Sequence, residues 1–122
     1  MKIAGLGFRR SVTPAALADA LAQLGTDVDQ IAVLETKAQV AGFARFAPSS
    51  DIPVVALNEA DIKGIKTQTQ STRVYARFGT GSVAEALAIA AARQYGSARL
   101  ICPRYITADG SATAALAEVH TQ

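Results

Sequence analysis

Arg9 and Arg10 stand side by side behind the glycine pair Gly5 and Gly7, in the stretch GLGFRR (residues 5–10). Guanidinium groups present forked donors that match a carboxylate or a phosphate. Gly5 and Gly7 permit close backbone approach or a positive φ, and Phe8 lies between them and the cations. Such a turn suits an anionic ligand; it equally suits a solvated basic turn. A dinucleotide fingerprint would need glycine where Arg10 stands, and an acidic residue after the second strand, a place that only Glu35 approaches.

A second cluster is GTGSVAE (79–85). Gly79, Thr80 and Gly81 lead into a helix start, where free N–H groups and the helix dipole favour an anion. Ser82 and Glu85 have the S-x-x-E spacing of a capping box, which would use those donors internally. The Lys-Ser/Thr pair of a phosphate loop is absent. Glu35, Thr36 and Lys37 form a third cluster, expected on the same sheet edge as GLGFRR; the competing reading is a surface ion pair of small worth. Arg104 follows an apolar run and is expected to join them.

Catalytic constellations are poor. The one histidine, His120, lies two residues from the C-terminus, where a general base lacks a fixed partner. No Cys/His spacing suits a metal. No catalytic residue, metal ligand or cofactor is assigned.

The elements that position these clusters belong to a chain of 122 residues, the size of one domain spanning 1–122, half hydrophobic and 18% charged. Such a chain can bury a core. A net charge of +2, without a basic stripe, argues against nucleic acid. The single Cys102 reads as a buried small hydrophobe. Neither a signal-peptide pattern nor a membrane-length apolar run occurs, so a soluble, cytoplasmic protein is expected.

Strands are expected at 2–7, 31–35, 53–57 and 98–103, and helices at 13–25, 37–47 and 82–96. Thr13 and Pro14 start the first helix and Gly25 ends it; Pro48 ends the second. Residues 63–72 are polar without a period, and read as a mobile surface loop beside the ligand edge. RVYARF (73–78) fits a strand by alternation and a helix by the spacing of Val74 and Phe78. SATAALAEV (111–119) fits a strand returning from the turn at 108–110, with the helix propensity of alanine as the competing reading. Residues 120–122 read as a fraying tail. Alternating strands and helices predict an α/β fold: a mixed, mostly parallel sheet covered on both faces, with an antiparallel hairpin at the end. Ligands of such sheets bind beyond the strands' carboxyl ends.

GLGFRR, LETKAQVAGF (34–43), GTGSVAEALAIAAA (79–92) and ARLICPRYITADGSATAALAE (98–118) occur in this order. Together they resemble the cobalamin-biosynthesis family of CobE and the C-terminal domain of CbiG, over residues 2 to about 118. The resemblance implies a three-layer α/β/α sandwich, a helix at 73–78 and a strand at 111–118. It also implies chemistry in corrin-ring construction: in two-domain CbiG proteins, opening of a δ-lactone on cobalt-precorrin-5A with loss of acetaldehyde. The family pattern G-x-G-C-R-x-G is broken here by Phe8 and Ser11, so a thiol role is lost, and Val40 stands where an acidic residue is common.

The expected function is binding of a corrin or precorrin intermediate, with its many carboxylates, through an arginine-lined cleft, in order to carry or present it. Gly5, Gly7, Phe8, Arg9, Arg10, Thr36, Lys37, Gly79, Thr80, Gly81, Ser82, Glu85 and Arg104 are the candidate ligand residues. Other enzymes of cobalamin biosynthesis are expected partners. The alternatives are a CbiG-like lactone hydrolase and a phosphate- or nucleotide-binding module.

Overall fold

The computed structural model describes residues 1–120. In chain order it contains β1 (Lys2–Phe8), α1 (Pro14–Ala22), β2 (Gln30–Leu34), α2 (Ala41–Ser50), β3 (Val54–Leu57), α3 (Glu59–Ile62), α4 (Thr72–Phe78), α5 (Val83–Arg93), β4 (Ser97–Ile106) and β5 (Ala112–His120). The five strands form one sheet in the order β3-β2-β1-β5-β4. β1, β2 and β3 pair in parallel, while β5 runs antiparallel to both β1 and β4. Four strands therefore point one way, and the expected mixed α/β/α sandwich is what forms.

Alternation along β1 divides the core in two. Ala4, Leu6 and Phe8 join Leu17 and Ala20 of α1 and Phe43 and Phe46 of α2 on one face. Ile3 turns to the other, with Leu87 and Ala91 of α5 and Ile62 of α3. Gly5 explains how close α5 lies: a Cβ there would run into the Ala84 carbonyl and come within 2.7 Å of Ala88 N. The first glycine of GLGFRR thus brings the carboxyl half of β1 against the start of α5.

The termini of the elements follow their sequence signals. The Thr13 side chain accepts from Ala16 N at 3.1 Å, and Gly25 turns the chain with φ +72° after α1. Ser71 caps α4, and Gly79, at φ +74°, stops it. Residues 73–78 are therefore helical, as the resemblance implied. Residues 112–120 form β5 in spite of their alanines, because β1 and β4 flank them on both sides and satisfy the backbone.

Three expectations are corrected. Residues 35–37 form a separate 3₁₀ turn, and α2 begins only at Ala41. Pro48 lies inside α2, which continues to Ser50; the Ser49 and Ser50 hydroxyls donate to the Phe46 and Ala47 carbonyls at 2.7 and 2.8 Å. His120 is the last residue of β5, paired with Ser97, so the strand extends into the expected tail. Residues 121 and 122 lie outside the described residues.

Gly5→Ala is expected to cost about 3 kcal/mol or to prevent folding, because the obstruction is helix backbone that cannot step aside. Urea unfolding monitored by circular dichroism checks this, with Gly25→Ala as a comparison whose Cβ would meet open space, so that its cost of about 1 kcal/mol comes from the positive φ alone.

Candidate functional site

The carboxyl ends of β1 and β2 bring the first and third clusters to one sheet edge. Arg9 and Arg10 follow β1 and are exposed; Thr36, exposed, and Lys37, half-buried, follow β2. Arg10 and Thr36 line a shared pocket of about 330 Å³ with Gln39, Val40 and Ala41. Arg9 and Lys37 are at this edge but do not line that pocket. Phe8 points away from it, stacked on Phe43 with ring centroids 5.2 Å apart. Gly7 carries its backbone past Thr113, whose hydroxyl donates to the Gly7 carbonyl at 3.3 Å.

The β4–β5 turn borders the same edge. Arg9 N–H donates to the Ser111 carbonyl at 2.9 Å, so this turn sets the backbone at Arg9. Asp109 organises the turn: its Oδ1 accepts from the Ser111 N–H, the Thr107 hydroxyl and the Ser111 hydroxyl at 2.7–2.9 Å. These donors, led by the Ser111 N–H, hold the Asp109 carboxyl at about 2.

The second cluster has a different environment. Thr80 and Ser82 are each only 1% exposed, beneath the segment 63–72. The Thr80 hydroxyl donates to the Ile65 carbonyl at 2.7 Å, and Ser71 N–H donates to the Gly81 carbonyl at 3.0 Å. A Cβ at Gly81 would lie 2.6 Å from Thr67 Oγ1, so glycine is what lets the segment close down. Gly64 N–H reaches the Gly79 carbonyl at 2.9 Å and ties the two ends of the excursion together. A freely moving loop at 63–72 is therefore not what the chain forms; the segment is a strap, bonded along its length.

Glu85 is the anchor of that strap. It is fully buried, and only half of the expected capping box exists. The Ser82 side chain accepts from Glu85 N at 3.3 Å, but the Glu85 carboxylate turns elsewhere. Its Oε1 accepts from Gln68 N and Thr69 N at 2.8 and 3.0 Å. Its Oε2 accepts from the Thr69 hydroxyl and from Arg104 N, the latter at 2.9 Å. Burial alone would push the carboxyl up; the Thr69 hydroxyl and the N–H groups of Thr69, Arg104 and Gln68 outweigh it and hold the group below its ordinary value. Sequence spacing pointed to Glu85 but not to these partners, which come from positions 16 to 19 residues away.

Arg104 lies inside β4, level with Gly5 and two residues before the strand ends at Ile106, and this bond holds its backbone. Between Cys102 and Tyr105 the β4–β5 register shifts. Pro103 has no N–H to give to the ladder, and the N–H of Arg104 goes to Glu85 instead. Among the described residues, the ion pairs are Arg77–Glu59 and Arg99–Glu118. The side chains of Arg9, Arg10, Lys37 and Arg104 thus meet no carboxylate of the described chain. Glu35 does not pair with Lys37.

The comparisons with known proteins decide the family. The model of the family described as "Cobalamin synthesis G C-terminus" matches residues 2–117. The chain belongs to this family. The crystal structure of CobE, described as a protein from the cobalamin (vitamin B12) biosynthetic pathway, is similar at TM-score 0.83 and 28% identity, covering 99% of this chain and 95% of that one. The cobalamin biosynthesis protein chiG from Agrobacterium tumefaciens str. C58 is similar at TM-score 0.75 and 28% identity, covering 99% of this chain and 100% of that one. No curated protein matches the sequence. The chain is thus a cobalamin-biosynthesis protein of CobE/CbiG type. Among the described residues, no helix is long and apolar enough to cross a membrane, and no His/Cys/Asp/Glu group could hold a metal.

A cavity larger than the pocket beside Arg10 lies away from the cationic edge. It is a groove of about 790 Å³ between α1 and α2, lined by Leu21, Val28, Phe46 and Ile52, with Asp27 as its one charged residue. It presents no cation, whereas the smaller pocket beside Arg10 presents one.

Glu85→Gln is expected to destabilise the fold by about 3 kcal/mol at neutral pH, because an amide nitrogen would face N–H donors in a buried site. The lowered pKa fixes the sign of the pH dependence. Glu85 stabilises fully above the ordinary carboxylate range, and this contribution is lost as pH falls through the lowered folded value. Denaturation from pH 7 to pH 3 should show a smaller acid-induced loss in the variant than in the parent.

Proposed function

We propose that the chain binds a corrin or precorrin intermediate at the carboxyl edge of the sheet and carries or presents it to other enzymes of cobalamin biosynthesis. The observation that carries this reading is the set of cations at that edge, Arg9, Arg10, Lys37 and Arg104, which the described chain leaves without acidic partners. Corrin precursors surround a flat apolar ring with acetate and propionate carboxylates. Each desolvated charge-assisted bond to such a carboxylate contributes about 1.5–3 kcal/mol. β1 and β4 are separated by one strand, and the register sets Arg104 opposite Ala115, level with Gly5 and four residues short of Arg9, so the two residues arise about 16 Å apart by strand spacing and rise. Family membership supports the ligand class, since CobE belongs to the cobalamin biosynthetic pathway.

Carrying fits the residues better than lactone hydrolysis. Opening a lactone needs a group that takes a proton from water. Glu85 already accepts from four donors and is sealed in the interior. His120 is at the far end of β5, paired with Ser97 at the opposite edge of the sheet. Glu35 and Asp109 are the carboxylates at this edge: Glu35 has no partner among the described residues that would orient it, and Asp109, held at about 2 by the donors of Thr107 and Ser111, is a weak base.

Titration with cobyrinic acid, whose carboxylates are free, tests the binding. The parent chain should bind, and Arg9→Ala/Arg10→Ala should weaken binding by roughly ten- to a hundredfold, with a steep loss in high salt. Equal binding by parent and variant would remove the proposed edge from consideration. Incubation of the parent with cobalt-precorrin-5A should release no acetaldehyde above background. Multiple turnover that Glu35→Gln abolishes would make the hydrolase reading correct.

A further inference from the structure

The register shift in β4 and the strap over α5 meet at a single carboxylate. Arg104 N–H is withdrawn from the β ladder and points to Glu85 Oε2 at 2.9 Å. The same Oε2 accepts the Thr69 hydroxyl, and Oε1 holds the Gln68 and Thr69 N–H groups. The pairs Cys102–Leu116 and Tyr105–Ala114 hold the strand on either side of the bulge, Pro103 has no N–H, and the bond to Glu85 is what directs the Arg104 amide. We infer that Glu85 is a positioning residue for ligand binding: by holding the Arg104 bulge and the Gln68–Thr69 strap on one carboxylate, it sets where the Arg104 guanidinium meets a ligand carboxylate. This deepens, and rests on, the reading of the edge as a corrin polycarboxylate site.

Chemistry makes the assignment specific. A carboxylate can accept all four donors, and no other side-chain type of this size can. Glutamine would keep one acceptor oxygen and turn its NH₂ toward the second pair of donors. Released from Glu85, the Arg104 N–H would lose its fixed direction, and the bulge would be free to return toward ladder pairing with β5. The side chain would then leave the ligand edge. Arg104 would remain in the protein, yet it would no longer serve the ligand. Glu85 and Arg104 therefore act as one unit, and their effects on binding are not additive.

The test is a double-mutant cycle with Glu85→Gln and Arg104→Ala, read on two ligands. Cobyrinic acid offers free carboxylates; cobinamide offers the same ring system with those groups amidated. Arg104→Ala and Glu85→Gln should each weaken cobyrinic acid about tenfold and change cobinamide less than about twofold, and the double variant should be no weaker than either single one. Multiplicative losses in the double variant, or an equal loss on both ligands from Glu85→Gln, would overturn the inference. Amide exchange without ligand is the second arm. Glu85→Gln should expose the Arg104, Gln68 and Thr69 amides while leaving β1 amides protected; an Arg104 amide as protected as in the parent overturns the coupling. Glu85→Asp, which keeps the charge but is too short to reach both pairs of donors, replaces Glu85→Gln if that variant does not fold, with the same expected losses. If the parent binds neither corrin, the reading of function fails and the ligand half of the inference fails with it, while the exchange arm still decides the coupling by itself.

Discussion

The buried carboxylate of Glu85 is the constraint on which the strap at 63–72 and the bulge at Arg104 both depend. A fully buried charge is tolerated only when its acceptor capacity is filled, and Glu85 fills it with donors from two separate segments. The first turn of α5 provides its position. That turn is itself fixed by Gly5, whose missing Cβ allows the helix backbone to settle on β1. The segment from residue 63 to 72 has few apolar side chains with which to hold itself down, and the carboxylate supplies the attachment that burial does not. On the other side, the same group takes the Arg104 N–H out of the sheet. Packing of one helix on one strand thereby determines where a cation at the far side of the sheet begins.

This arrangement gives the glycines of GLGFRR and GTGS a consistent meaning. Gly5 and Gly81 are needed for close approach of protein to protein, and the anions that the helix start could attract are excluded by Thr80, Ser82 and the strap above them. In the proposed function, ligand chemistry falls to the side chains that the fold leaves without acidic partners among the described residues. Arg9 and Arg10 follow a strand whose last residue, Phe8, is pinned by stacking on Phe43, and the Asp109-centred turn fixes Arg9 from the other side. Exposed cations on rigid supports suit recognition of carboxylates with little ordering cost on binding.

Much of the fold was legible because local signals and periodicity agreed. Thr13-Pro14, Gly25 and the alternation of β1 each pointed to one structure. RVYARF and SATAALAEV were ambiguous over their own residues, and the neighbours that decided them, the Ser71 cap and the flanking strands β1 and β4, are set by the tertiary arrangement. Pro48 misled because its missing donor deprives a single carbonyl, that of Ala44, near the end of α2, while the Ser49 and Ser50 hydroxyls satisfy the last-turn carbonyls of Phe46 and Ala47. At the site, the cations were readable from residue type and their position after strands. The role of Glu85 was not, since the S-x-x-E spacing explains half of its bonds to the helix start and none of those to Gln68, Thr69 and Arg104. Long-range partners of a buried acid leave no periodic trace in sequence.

The most direct test of the central claim is a map of backbone amide chemical shifts as cobyrinic acid is added to the parent protein. The account predicts that the perturbed residues cluster at one sheet edge: 9–10, 36–41, 104 and 107–111. Perturbations confined to the apolar groove between α1 and α2, around residues 18–28 and 46–52, with the cationic edge silent, would contradict it.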